Sequence, residues 1–139
     1  MKHTLIRGSL IWALKNLVYV ALSTVGLLFI GAKISTAAFS MLSLALYAFL
    51  GFGAAEWTFR KGERMNLIGL VIFVVVMFCI DFLITTAFYS WVYQSNIFLR
   101  QTFWATVASL GVHIVVTVGA YELRRREVAM QGLSEGLES

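Results

Sequence analysis

The chain has 139 residues, a formal charge of +4, 60% hydrophobic residues and 13% charged ones. A soluble domain averages roughly 45–50% apolar and about 25% charged residues, so this composition, with a mean hydropathy of +0.84, excludes a secreted mini-protein, a disordered tail and a collagen-like chain. The single cysteine, Cys79, excludes a disulfide framework and a cysteine-rich metal site.

A helix crossing a hydrocarbon core needs roughly 20 mostly apolar residues, and four stretches reach or approach that length. The first, Asn16 to Ala32, is bounded by Lys15 and Lys33; it becomes long enough if Lys15 snorkels and the helix begins near Ser9. The second is Ile34 to Ala55. The third runs from Met65 to Trp91 and is broken only by Asp81, and the fourth covers Gln101 to Tyr121. Together they place spans at about 9–31, 34–56, 65–91 and 101–122.

No proline interrupts any of them, so no kink is encoded. The links are short, with Gly31 a plausible helix stop, and short links force neighbouring helices antiparallel. The predicted fold is all-α: an integral membrane four-helix bundle of two antiparallel hairpins over 1–127, followed by a short flexible tail over 128–139. A cleaved leader is not expected, because the first apolar stretch is longer than the roughly 7–15 residues of a signal h-region.

Basic residues gather on one side. With both termini cytoplasmic, the inner face holds Lys2, Arg7, Lys15, Arg60, Lys61, Arg64, Arg124, Arg125 and Arg126, against Lys33 and Arg100 outside. Trp12, Trp57 and Tyr121 then mark the inner interface, and Tyr89, Trp91, Tyr93 and Trp104 the outer one. This topology and contacts to lipid headgroups through Arg60, Lys61, Arg64, Arg124, Arg125 and Arg126 account for the basic excess, so no nucleic-acid partner is expected.

The ends of the even-numbered helices echo each other: Ala54-Ala55-Glu56-Trp57-Thr58-Phe59-Arg60-Lys61 aligns with Val118-Gly119-Ala120-Tyr121-Glu122-Leu123-Arg124-Arg125. A duplicated hairpin would produce this; so would the shared need of inner helix ends for an aromatic followed by basic residues. Trp57-Thr58-Phe59-Arg60 and Tyr121-Glu122-Leu123-Arg124, with the four-span layout from Leu5 to Arg126, resemble the GtrA-like family of small four-helix membrane proteins. The resemblance implies a role in moving polyprenyl-phosphate-linked sugars across a bacterial inner membrane. The chain departs from the family at Ala55 and Glu56, where members place Asn and Arg.

Ionisable groups inside a span are costly and face protein or water. Asp81 lies about 16 residues, or roughly 24 Å, from the inner start of its helix, and His113 about 12 residues, or roughly 18 Å, from the outer start of the next. These depths bring carboxylate and imidazole to a similar level. Polar residues at helical spacing extend each stripe: Asp81, Thr85 and Tyr89; Ser109, His113 and Thr117; Asn16, Tyr19 and Ser23; Ser40, Ser43 and Tyr47. The expected substrate or proton path comprises Asp81, His113, Thr85, Ser109 and Thr117; the alternative is interhelical hydrogen-bond glue. An inner-boundary ion pair between Lys15 and Glu56 is also expected. Gly51 with Ala55, and Ala105 with Ser109, offer small-xxx-small faces for packing within the bundle or between copies.

No HExxH, GxSxG, Walker A or GxGxxG pattern occurs, and His3 lies far from His113 along the chain. An enzyme is not expected, nor is any cofactor or metal. Two functions remain: transport or a flippase-like role for a small or lipid-linked substrate, the bundle forming a homo-oligomer, or a non-catalytic accessory subunit of a larger membrane protein partner.

Overall fold

The computed structural model describes residues 2–30, 33–60, 65–93 and 102–137. It contains four helices: α1 (Lys2–Phe29), α2 (Thr36–Phe59), α3 (Leu67–Tyr93) and α4 (Thr102–Leu137). No strand occurs among the described residues. Each helix contains a stretch long and apolar enough to cross a membrane, and large aliphatic and aromatic side chains remain exposed along all four, including Leu10, Leu28, Phe49, Ile68 and Val115. An outward-facing apolar surface on every helix is the pattern of a multi-pass membrane protein.

Local chemistry sets the helix ends. Ser35 N-caps α2, its side chain accepting from Ala38 N at 3.2 Å. Asn66 starts α3 in the same way, Oδ1 accepting from Gly69 N at 2.8 Å. At the end of α2 two carbonyls lack intrahelical partners, and arginines of other helices supply them: Arg7 Nη2 donates to Trp57 O at 2.8 Å and Arg124 Nη2 to Arg60 O at 3.2 Å. Tyr121 Oη closes the same end, donating to Met65 O at 2.8 Å and accepting from Met65 N at 3.0 Å. The beginnings of α1 and α3 and the later parts of α2 and α4 therefore meet at one pole, which also gathers Arg7, Arg60 and Arg124.

Around the bundle α1 packs against α2 and α3, and α2 also packs against α4. The close backbone approach of α3 to α4 is the sparsest of the four interfaces, although these two are consecutive in the chain. The apolar core fills the basic half. Trp12, Ala54, Ala55, Phe59, Leu70, Phe73, Met77, Ala120 and Tyr121 are buried together, with the Phe59 ring 5.1 Å from Phe73 and 5.3 Å from Tyr121. A Cβ at Gly8 would lie 2.6 Å from Phe73 Cε2, so only glycine lets α1 come this close to α3.

Two boundaries differ from the sequence reading. Helix α1 starts at Lys2 rather than near Ser9, because its first turns are held: Thr4 and Gly8 are buried and Arg7 caps α2. Helix α4 continues to Leu137, where a flexible tail from Val128 was expected. Ion pairs one turn apart, Arg124 with Glu127 and Arg125 with Glu122, support the helix as it leaves the core. Gly31 and Gln101 lie outside the described residues.

Candidate functional site

Each helix brings a polar side chain to its middle. Lys15 and Asn16 stand midway between Lys2 and Phe29, Tyr47 midway along α2, Asp81 near the centre of α3, and His113 about as far from the start of α4 as Tyr47 is from that of α2. All five are buried, Asp81 to 3% exposure and His113 to 1%. The four helices therefore carry their polar groups at one level of an otherwise apolar bundle.

Asp81 is the hub. Its Oδ2 accepts from Lys15 Nζ at 2.7 Å and from Tyr47 Oη at 2.5 Å, and His113 Nδ1 lies 3.8 Å from the same oxygen. Asn16 Nδ2 donates to the Asp81 backbone carbonyl at 3.0 Å, fastening α1 to α3. The Lys15 ammonium also lies over two aromatic faces, 3.8 Å from the Tyr47 ring centroid and 4.7 Å from that of Trp12, which favours a desolvated cation. Trp12 reaches across the bundle to pack against His113, the two rings tilted at 58° with centroids 4.6 Å apart.

His113 is oriented from its far side. Its Nε2 lies 3.1 Å from Val74 O, and a carbonyl oxygen can only accept, so Nε2 carries the hydrogen. Phe78 packs edge-on at 5.8 Å. A second polar contact, Tyr19 Oη with Ser43 Oγ at 2.8 Å, lies one turn away from the hub toward the pole opposite the arginines, and Tyr19 meets Tyr47 edge to face at 5.3 Å.

The network is incompletely satisfied. Among the described residues Asp81 Oδ1, Asn16 Oδ1, His113 Nδ1, Thr117 Oγ1 and Trp12 Nε1 are buried with no hydrogen-bonding partner in the protein. Buried polar atoms are ordinarily paired, so five such atoms on or beside one cluster form an unusual concentration of free bonding capacity.

The residues expected from sequence divide as follows. Asp81 and His113 meet. Thr117 is fully buried one turn from His113, whereas Thr85 and Ser109 are half-buried. The Lys15–Glu56 ion pair is replaced: Lys15 binds Asp81 in the interior, and Glu56 is exposed on the outer side of α2. The cause is the earlier start of α1, which moves Lys15 from a helix end to its centre. Arg124 and Arg60 are joined through the Arg60 carbonyl, and Arg60, Arg125 and Arg126 are exposed. Lys61 and Arg64 lie outside the described residues. The sequence reading missed Lys15 and Tyr47 as partners of Asp81, although Tyr47 and Asn16 already stood on the polar stripes. The available signal was charge parity: Asp81 and Lys15 each interrupt an otherwise apolar helix. The echo between α2 and α4 does not extend to environment, because Trp57 is 52% exposed whereas Tyr121 is 9% exposed.

No protein-family model, curated protein or solved structure matches this chain.

Proposed function

We propose that this chain is a non-enzymatic, multi-pass membrane translocator that uses the Asp81–Lys15–Tyr47–His113 cluster as the polar centre of a route for a small or lipid-linked substrate. The observation that carries the reading is the free bonding capacity around a buried ion pair. Packing glue is selected to be satisfied within the protein, and a half-satisfied polar network is worse for stability than an apolar core. A centre that keeps Asp81 Oδ1, Asn16 Oδ1, His113 Nδ1 and Thr117 Oγ1 without protein partners is suited to transient partners.

The two sides of the centre differ, although Thr117 and Thr58 are buried on the arginine side. Below it, toward the arginines, Phe59, Phe73, Met77 and Tyr121 are packed shut; above it lie Tyr19, Ser43, Ser23, Thr85 and Ser109 at half-buried or buried positions. In this reading the arginine pole is cytoplasmic, its free side chains meet anionic headgroups, and the membrane is a bacterial inner membrane. The likeness to GtrA-like proteins puts polyprenyl-phosphate-linked sugars first among substrates to try. A homo-oligomer supplies the further wall that four helices lack. The accessory-subunit reading loses one docking face, since Gly51 and Ala55 are buried and a Cβ on Gly51 would lie 3.4 Å from Val116 Cγ1.

The test is transbilayer movement in proteoliposomes, with NBD-labelled polyprenyl phosphate and NBD-labelled phosphatidylglycerol as probes and dithionite quenching as readout. The protein accelerates movement of at least one probe over protein-free vesicles, and Asp81→Asn abolishes the acceleration while the protein still inserts and keeps its oligomeric state. Equal rates for wild type and empty vesicles with both probes overturn the reading.

A further inference from the structure

The hydrogen bond on the far side of His113 determines what the near side can do. Because Val74 O can only accept, the hydrogen of a neutral ring sits on Nε2, and Nδ1 presents a lone pair. That lone pair faces Asp81 Oδ2 at 3.8 Å, so two acceptors confront each other across a gap that neither can bridge. A charge-assisted N–H···O bond is about 2.7–2.9 Å long. The gap therefore closes by about 1 Å once Nδ1 gains a hydrogen, and by no other change in the ring.

The surroundings make such a proton consequential. From α1, Lys15 already occupies Asp81 Oδ2, with the Trp12 ring tilted against the imidazole and Asn16 on the Asp81 carbonyl. From α2, the Tyr47 hydroxyl shares Oδ2. From α3 come Asp81 itself and the Val74 carbonyl with Phe78, and on α4 Thr117 lies one turn away. Lys15 is the basic and Asp81 the acidic partner at this centre. Adding one proton to His113 places two cations on one carboxylate, and the second oxygen, Oδ1, has no protein partner.

We propose that the coupling ion of this translocator is a proton bound at His113 Nδ1, which brings the ring onto the Asp81 carboxylate beside Lys15. The step is balanced: one proton from the aqueous phase forms the Nδ1–H bond, no other bond breaks covalently, and the cluster gains one positive charge. The imidazolium joins Lys15 at the carboxylate, where the unpartnered Oδ1 leaves room for the ammonium to shift, while Asn16 keeps α1 on the Asp81 carbonyl. The word coupling rests on the translocator reading; the proton site rests on the geometry of the ring.

The experiment is nitrogen NMR of histidine-labelled protein in lipid nanodiscs, in a His3→Gln background so that one ring remains, together with probe movement measured with and without a pH gradient. At high pH the ring carries hydrogen on Nε2 alone, and lowering the pH adds the second hydrogen at Nδ1. A pH gradient changes the rate of probe movement, and in His113→Gln the ratio of the rates with and without the gradient falls to one. A hydrogen on Nδ1 at high pH, or a ring that gains none there down to the lowest pH at which the protein stays folded, overturns the proton site. A titrating ring with gradient-independent movement overturns the coupling. A titrating ring with no movement of either probe overturns the translocator reading and the coupling with it, and leaves the proton site standing.

Discussion

Removing the ammonium from Lys15 separates the effect of the ion pair from that of packing. Lys15→Met keeps most of the side-chain volume and leaves the Asp81 carboxylate with Tyr47 as its remaining donor in a site 3% exposed. Breaking a buried pair by removing one partner costs about 3–5 kcal/mol, and a lone charged residue mid-helix in a membrane about 2.5–3.5 kcal/mol. The lower end applies, because Tyr47 still donates to Oδ2: about 3 kcal/mol. The reverse change, Asp81→Asn, leaves an ammonium resting on two aromatic faces, each able to return part of its solvation, so its loss is nearer about 2 kcal/mol. In Lys15→Met with Asp81→Asn no charge remains, and the double variant is no less stable than the milder single one. The coupling energy is roughly 3 kcal/mol. Equilibrium unfolding in nanodiscs, followed by tryptophan fluorescence, measures it, since Trp12 lies beside the ammonium. Single effects that add to within about 0.5 kcal/mol would refute the pairing and with it the mid-helix placement of Lys15.

Three further outcomes test the frame around this centre. Gly8→Ala destabilises the bundle by about 1–3 kcal/mol, since its Cβ would fall 2.6 Å from the fully buried Phe73 ring; Gly111→Ala, where a Cβ meets nothing within 4 Å, costs nothing measurable in the same thermal assay. Tyr121→Phe removes both bonds to the Met65 backbone and lowers stability by about 2 kcal/mol, whereas equal stability would show that this clamp is not formed in lipid. A nitroxide on Cys79, the chain's one cysteine and exposed on α3, is relaxed more by oxygen than by a water-soluble nickel complex; the opposite ranking would put this part of α3 in water.

The four helices were legible because charged residues bracket long apolar runs, and the boundaries were wrong where a helix continues past that bracketing. The segment before Ser9 is polar enough to pass for a leader, yet Arg7 is fixed by a carbonyl of another helix and Gly8 by an aromatic ring from a third. Neither contact leaves a mark in local sequence. The segment after Val128 reads as a tail from its glycines and serines, yet the helix, braced by the ion pairs of Glu122 and Glu127, runs on through it to Leu137. Which helices pack most closely was equally hidden. Consecutive helices with short links suggest consecutive neighbours, but α1 with α3 and α2 with α4 pack closely, whereas among the described residues α3 and α4 approach sparsely and the consecutive α2 and α3 make no close backbone approach. In an apolar helix all faces read alike, so the polar stripes alone identify the inward side.

Those stripes led to Asp81 and His113 and stopped short of the base that neutralises the acid. Placing Lys15 at a helix end made snorkelling sufficient; placing it at the centre makes an internal counter-charge obligatory, and Asp81 is the acid that each helix count puts at the same level. The same geometry constrains how such a centre would work. Its apolar floor is closed by Phe59 packed between Phe73 and Tyr121, and the bonds that hold this floor are the Tyr121 clamp on Met65 and the Arg7 cap on Trp57. Lys15 lies two turns along α1 from Arg7, and Asn16 ties that same stretch to the Asp81 backbone. If Lys15 leaves Asp81, α1 loses a charged contact with α3 at its midpoint, while Gly8 remains wedged against Phe73 below. Above that wedge α1 is still tied by Asn16 to the Asp81 carbonyl and by Tyr19 to Ser43, so the loss of the Lys15 contact alone does not detach it.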